Sequence, residues 1–126
     1  MLQLMQGLPP HVVGVHATGE ITKEDLETVL IPAIDKLVAQ TDKIHYLLHL
    51  DTDLLKWDIG AWYKDAQVGL KYFTKWTKIA VVTDKPAVRT FTDAFSYMVP
   101  GEARGFSMAE METAKKWVSE ETTEKE

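Results

Sequence analysis

The sequence predicts a single α/β domain in which an N-terminal β-hairpin is followed by parallel βα units. The length of 126 residues fits one domain. Short apolar runs of strand length alternate with segments in which apolar residues recur at helical spacing. Because strands that alternate with helices are joined by right-handed crossovers, they lie parallel in one sheet. We expect a mixed, mostly parallel sheet of about five strands with about four helices on one or both of its faces.

The first two strands are expected to form the hairpin. Residues 2–6 alternate between polar and apolar side chains, and residues 11–17 are rich in valine. Residues 7–10 between them read Gly-Leu-Pro-Pro, which is a turn signal because proline donates no hydrogen bond to a strand ladder. Residues 2–6 are therefore predicted to be a short edge strand paired with residues 11–17.

The first helix is predicted to begin at Thr22. Asp25 follows three residues later, a spacing that resembles a capping box. Pro32 interrupts the helical pattern and lacks the amide that would bond to the carbonyl of Thr28. A kink or a break is expected there.

The rest of the chain continues the alternation of strands and helices. Residues 44–50 (IHYLLHL) are apolar at most positions and are expected to form a central strand that is covered on both faces. The last helix begins at a capping box of Ser107 and Glu110. The elements predicted between these two points are helix 58–73, strand 78–83, helix 86–97 and strand 103–106.

Composition excludes several classes of function. The net charge is −5, which argues against nucleic acid as a partner because such an interface needs surplus Lys and Arg. The absence of cysteine excludes disulfides, thiolate catalysis and Cys-ligated zinc, and agrees with a reducing compartment. The N-terminus lacks the pattern of a signal peptide, and no run approaches the ~20 apolar residues that cross a bilayer. We expect a cytoplasmic protein with a domain at 1–118 and an acidic tail at 119–126.

Four segments carry a resemblance to a known family. They are TGEITKED at 18–25, IHYLLHLD at 44–51, WDIG at 57–60 and PGEARGF at 100–106, followed by Ala114, Trp117 and Val118 in the last helix. With these segments the chain resembles the SpoIIAA-like proteins, relatives of the STAS domain named for sulfate transporters and anti-sigma factor antagonists. The resemblance implies the SpoIIAA-like fold and a role in binding or regulation.

The chain departs from the regulatory STAS pattern at one position. In anti-sigma factor antagonists a phosphorylatable Ser follows an Asp at the start of the helix after the central strand. Here Ile59 follows Asp58, and isoleucine has no hydroxyl group to phosphorylate. Thr52 is the nearest hydroxyl-bearing alternative. The phosphorylation switch is therefore not carried over to this chain.

Three carboxylates follow the central strand, at the edge where open α/β sheets bind ligands. Asp51, Asp53 and Asp58 suit acid–base chemistry or a divalent cation. The alternative is structural: Asp51 and Asp53 accept from loop amides, and Asp58 caps the following helix.

The histidines are not expected to bind metal. His45 and His49 are four residues apart on one strand, which separates them by roughly 13 Å. His11 and His16 lie on the neighbouring strand and could approach them, but no helix carries an HxxxH or HExxH pattern. The sequence predicts no metal, no cofactor and no catalytic residue.

Aromatic residues are dense between 57 and 76, where lysines interleave with them. Helical periodicity predicts that Trp62, Leu70 and Phe73 face the sheet. The alternative is an amphipathic surface that docks a partner, an apolar ligand or a membrane. Residues 91–100 are apolar on more than one side, which is typical of a pocket wall or a homodimer contact.

The sequence thus favours a non-enzymatic binding or regulatory module that engages a protein partner or a small apolar ligand. Two alternatives stay open: a small enzyme or ion-binding protein that uses the carboxylates, and a domain that associates peripherally with membranes. The predicted ligand site lies at the carboxyl ends of the strands and consists of Asp51, Asp53, Trp57, Asp58, Trp62, Asp84 and Arg89.

Overall fold

A five-stranded sheet runs through the protein with its strands in chain order. The computed structural model describes residues 1–53, 56–97 and 100–120, apart from the side chain of residue 62. The strands are β1 (Leu2–Leu4), β2 (Val12–Thr18), β3 (Ile44–Asp51), β4 (Trp76–Thr83) and β5 (Glu102–Phe106). β1 is antiparallel to β2, and each later strand is parallel to the strand before it. The predicted hairpin, the central place of β3 and the parallel crossovers are all confirmed.

Four helical regions follow the expected order in the described residues. They are α1 (Lys23–Asp25) with a π turn (Leu26–Leu30) and α2 (Ile31–Thr41); α3 (Ile59–Lys71) with a 3-10 turn (Phe73–Lys75); α4 (Pro86–Phe95); and a 3-10 turn (Met108–Glu110) with α5 (Met111–Ser119). None of them has the length and apolar character needed to cross a membrane. The tail predicted from residue 119 lies outside the described residues beyond residue 120.

The interruption at Pro32 is resolved by a change of helical winding. The amide of Ile31 donates to the carbonyl of Leu26, five residues back, which closes a π turn directly before the proline. Pro32 then stands in the first turn of α2, where its missing amide is tolerated. The helix therefore changes its winding directly before Pro32 and continues as α2.

Both predicted capping boxes are present. The amide of Asp25 donates to Thr22 Oγ1 over 3.2 Å, and the amide of Thr22 donates to Asp25 Oδ2 over 2.9 Å. Ser107 and Glu110 make the equivalent reciprocal pair before the 3-10 turn that leads into α5. Each box satisfies amides that a helix start leaves without an intrahelical partner.

The alternation of side chains along the strands creates two core layers. On the α5 face, named for the helix that covers it, the cluster contains Val12, Leu47, Ala80, Val82, Phe106, Ala114 and Val118. The opposite face is covered by the π turn, α2 and α3, with α4 over β4 and β5. Its cluster includes Val15, Tyr46, Leu50 and Val81 from the strands, with Leu26, Leu30, Ile34, Leu37, Ala61 and Val68 from the helices.

The orientation predicted for α3 is wrong. Leu70 is 77% exposed and Phe73 is 45% exposed, whereas Ala61 and Val68 are buried. The helix carries apolar residues on two sides, so periodicity alone allows either side to face the sheet. The side chain of Trp62 lies outside the described part of the structure.

Candidate functional site

An apolar cavity of about 630 Å³ opens between α3 and α4. Strands β3 and β4 form its floor, and the two helices form its walls. Its lining is almost entirely hydrocarbon and aromatic: Leu30, Tyr46, Leu48, Trp57, Asp65, Ala66, Val68, Gly69, Leu70, Phe73, Trp76, Ile79, Val81, Phe91, Thr92 and Phe95.

The floor follows from the two-residue period of the strands. Tyr46 and Leu48 on β3, and Ile79 and Val81 on β4, all point to the same face. The ring of Trp76 meets that of Tyr46 edge to face with centroids 6.0 Å apart. The floor is therefore a packed layer of aromatic and branched side chains.

The side chains of the walls are more exposed to solvent than those of the floor. On α4, the rings of Phe91 and Phe95 stack with centroids 6.1 Å apart. Phe91 lines the cavity and is nevertheless 68% exposed. Leu70 on α3 also lines the cavity and is 77% exposed. These side chains stand at the mouth of the cavity, where apolar surface faces water.

Gly69 belongs to the α3 wall. A Cβ atom added to Gly69 would meet nothing within 4 Å. The carbonyl of Gly69 accepts a hydrogen bond from Trp76 Nε1 over 3.2 Å, which ties the wall to the start of β4.

Asp65 supplies the one carboxyl group among the described lining residues. It stands four residues after Ala61 and three before Val68, so it shares their inward side of α3. The side chain is half-buried, and this burial raises the pKa of Asp65 to about 6. Burial, followed by the negative charge of Asp65, also raises the pKa of Tyr46, whose phenol therefore stays neutral.

Of the residues predicted to form the site, Trp57 lies in this cavity, where it is buried. It forms an isolated parallel bridge with Ile21, held by a hydrogen bond from the Ile21 amide to the Lys56 carbonyl over 3.0 Å. The Asp58 amide returns a bond to the Ile21 carbonyl over 2.9 Å. These bonds fix the backbone on both sides of Trp57, whose side chain lines the cavity.

Among the described side chains, the other predicted residues lie outside the cavity lining. Asp58 Oδ1 accepts from the amide of Ala61 over 2.7 Å, so it caps α3. Arg89 Nη1 donates to the carbonyl of Thr83 over 2.9 Å, while Asp84 is exposed. Asp53 is also exposed, and its carbonyl accepts from the Lys56 amide over 2.9 Å.

The three predicted carboxylates do not meet as a set. Within the described ranges, the group that gathers three ligand atoms joins Asp51 to His16 and His49 and leaves out Asp53 and Asp58. Asp51 lies on the α5 face, because its strand partner Thr18 belongs to the same alternating row as Val12. The predicted cluster is therefore divided, because Asp51 lies on the α5 face, Asp58 caps α3 and Asp53 is exposed after the end of β3.

The structure describes the residue that the sequence resemblance matches to the STAS phosphorylation site. Ile59 is the first residue of α3, directly after its cap Asp58, and is 87% exposed. The alternative hydroxyl, Thr52 Oγ1, donates to the Gly19 carbonyl over 2.8 Å. The helix thus begins with an exposed isoleucine, which has no hydroxyl group.

Sequence reasoning missed Asp65 and Tyr46. Their signal was present: an aspartate on the same helical side as Ala61 and Val68, and a tyrosine within an apolar strand. The signal was overlooked because the opposite side of α3 holds the larger apolar residues.

Comparison with known proteins gives the chain a family. The SpoIIAA-like family model matches residues 12–119, and no curated protein matches the sequence. A crystal structure of an uncharacterized protein with a SpoIIAA-like fold from Shewanella loihica PV-4 is similar, with a TM-score of 0.69. The two share 19% sequence identity over 93% of each chain, a likeness that establishes the fold. From the extent of the family match, the chain belongs to the SpoIIAA-like family.

Proposed function

We propose that this SpoIIAA-like domain is a binding module for a small, neutral, apolar ligand that occupies the cavity between α3 and α4. The observation that carries the proposal is the cavity itself, about 630 Å³ of almost wholly apolar lining. Ligand pockets in proteins typically measure about 300–1,000 Å³ and combine apolar walls with a few polar groups. The cavity fits this description in size and in chemistry.

Exposed apolar side chains at the mouth support the proposal. Leu70, Phe73 and Phe91 line the cavity and keep 77%, 45% and 68% of their surface in water. A ligand seated between α3 and α4 would remove part of this surface from water and gain about 25 cal/mol for each Å² buried. Without a ligand, the same apolar surface stays in contact with water and contributes no such stabilisation.

Asp65 is the polar group that would orient the ligand. With a pKa of about 6, its carboxyl group is protonated below that pH and then offers one O–H donor. An apolar ligand would bury the carboxyl group further, which costs more for the charged form than for the neutral form. Binding is therefore expected to favour the protonated state of Asp65.

The raised pKa of Asp65 is also what acid–base catalysis requires, so an enzyme is the second candidate. The described lining residues supply no histidine, lysine or second carboxylate to act with Asp65. The Thr92 hydroxyl, which also lines the cavity, donates to the Val88 carbonyl over 2.8 Å. Binding is accordingly preferred over catalysis.

The test uses N-phenyl-1-naphthylamine, a neutral apolar dye whose fluorescence rises when it leaves water. Ala66 lines the cavity from α3, and Gln67 is an exposed neighbour outside the lining. We expect the dye to bind the unaltered chain saturably, with affinity reduced at least about tenfold in Ala66→Trp. The matched control Gln67→Trp adds the same bulk to the same helix and should bind the dye as the unaltered chain does.

Two results would contradict the proposal. One is the absence of saturable dye binding to the unaltered chain. The other is an equal effect of the two tryptophan substitutions, which would mean that the dye binds an exposed surface of α3 and not the cavity. That second result would favour a protein-docking surface over a small-molecule site.

A further inference from the structure

Two histidines and an aspartate meet on the α5 face, the side of the sheet opposite the apolar cavity. His16 on β2 is the register partner of His49 on β3, and Asp51 follows two residues after His49 on the same face. Both strands run in the same direction, so these residues lie together near their carboxyl ends. The two histidines that meet lie on neighbouring strands, whereas His45 and His49 are separated along one strand.

The three side chains are close enough to share one ion. The imidazole rings of His16 and His49 are stacked, with centroids 4.1 Å apart and planes 8° from parallel. His16 Nε2 lies 3.1 Å from Asp51 Oδ2, and one ligand atom from each of the three residues lies within 4.8 Å of the others. A tetrahedral zinc site separates its ligand atoms by about 3.3 Å, and imidazole lone pairs lie in the ring planes. The two nearly parallel rings would therefore rotate about their side-chain torsions to aim both nitrogens at one ion.

We propose that His16, His49 and Asp51 form a binding site for one divalent transition-metal ion of the zinc type. Two imidazole nitrogens and one carboxylate oxygen suit zinc and its neighbours, whereas magnesium and calcium prefer oxygen ligands alone. The side chains of His16 and Asp51 are 33% and 51% exposed, so an ion enters from solvent. The remaining coordination position is left to water or to an external ligand.

One cationic side chain lies near the proposed site. The ammonium group of Lys115 on α5 acts electrostatically on His49 and would repel a cation. Its charge is offset by Glu112, whose Oε2 lies 3.3 Å from Lys115 Nζ.

The experiment is a zinc titration of the full chain, purified without a histidine tag. Equilibrium dialysis against ZnCl₂ with elemental analysis gives the stoichiometry and the affinity, and CoCl₂ gives visible d–d absorption if the site is tetrahedral. We expect one zinc ion per chain, and binding at least about tenfold weaker in His16→Asn and in Asp51→Asn. MgCl₂ should not compete.

The matched control is His11→Asn, which removes another histidine beside the α5 face. The His11 ring packs on that of His45 with centroids 5.1 Å apart, outside the proposed site. This variant should bind zinc as the unaltered chain does.

The proposal is wrong if the unaltered chain does not bind zinc saturably, if His16→Asn and Asp51→Asn bind normally, or if His11→Asn loses as much affinity. Circular dichroism of each variant verifies that an observed loss is not unfolding. Because the dye assay addresses the other face of the sheet, failure here and failure of the apolar site are distinguishable.

Discussion

Asp65 on α3 acts on Tyr46 at the floor of the apolar cavity, where its carboxylate charge adds to burial in raising the pKa of the phenol. Both groups line a surface that is otherwise hydrocarbon and aromatic. Burial raises the pKa of Asp65 itself to about 6 from an ordinary value of 3.8. Among the described lining residues, Asp65 is thus an acid that titrates in a range accessible to experiment, and two predictions depend on it.

Asp65 should make the protein less stable as pH rises. The folded state holds its proton up to about pH 6, whereas the unfolded chain releases it near 3.8. Between these values the folded state binds more protons, so the free energy of unfolding falls with rising pH and then levels off. Asp65→Asn should remove this fall and stabilise the protein at pH 7.5 by on the order of 1 kcal/mol.

Urea denaturation at pH 4, 5, 6 and 7.5 measures this effect. The control is Asp84→Asn, which neutralises an exposed aspartate and should leave the pH profile nearly parallel to that of the unaltered chain. A profile of Asp65→Asn that keeps the full decline between pH 4 and 6 would show that another group causes it.

Binding of the neutral dye should follow the same titration. Because an apolar occupant disfavours the charged carboxylate, affinity should rise several-fold as the pH falls through about 6. Asp65→Asn should bind about as tightly as the protonated protein at every pH. Fluorescence titrations between pH 5 and 8 test both statements, and unchanged pH dependence in Asp65→Asn would exclude Asp65 as the responsible group.

Asp58 should behave as a helix cap and not as a ligand. Its carboxylate accepts from the Ala61 amide over 2.7 Å. Asp58→Ala should cost about 0.5–2 kcal/mol, while Asp58→Asn and Asp58→Ser should be tolerated because their side chains can accept the same bond. Thermal melts with and without millimolar Mg²⁺ or Ca²⁺ decide the matter, since ion-dependent stabilisation that vanishes in Asp58→Asn would indicate a cation site.

The same substitution at two glycines should have opposite effects. A Cβ atom on Gly105 would lie 2.5 Å from Arg89 Cα and 2.7 Å from its carbonyl oxygen, so α4 would be forced away from β5. Gly105→Ala should therefore destabilise the protein by about 1–3 kcal/mol. Gly69 lies within α3 with open space at its Cβ position, so Gly69→Ala should stabilise by roughly 0.5–1 kcal/mol.

Chemical denaturation of the two alanine variants provides the measurement. Equal and small effects at both glycines would mean that α4 is not held against β5 as closely as the Arg89 contact indicates.

The local patterns of the sequence were sufficient for most of the fold. The capping boxes at Thr22 and Ser107 mark helix starts because they use only neighbouring residues. The apolar run at 44–50 indicated a strand covered on both faces, and the crossover rule then placed it at the centre. The family resemblance was likewise readable from short segments, and the match over residues 12–119 confirms it.

The functional surfaces depended on contacts between distant parts of the chain. Helix α3 has apolar residues on two sides, and only its packing shows that Ala61, Asp65 and Val68 face inward while Leu70 stands at a cavity mouth. His16 and His49 are 33 residues apart, and the strand register alone brings their rings into contact. Periodicity describes one element at a time, whereas a cavity or a ligand cluster is a property of how elements are placed against each other. The sequence by itself therefore determined the elements and their order, and tertiary packing decided which side chains meet.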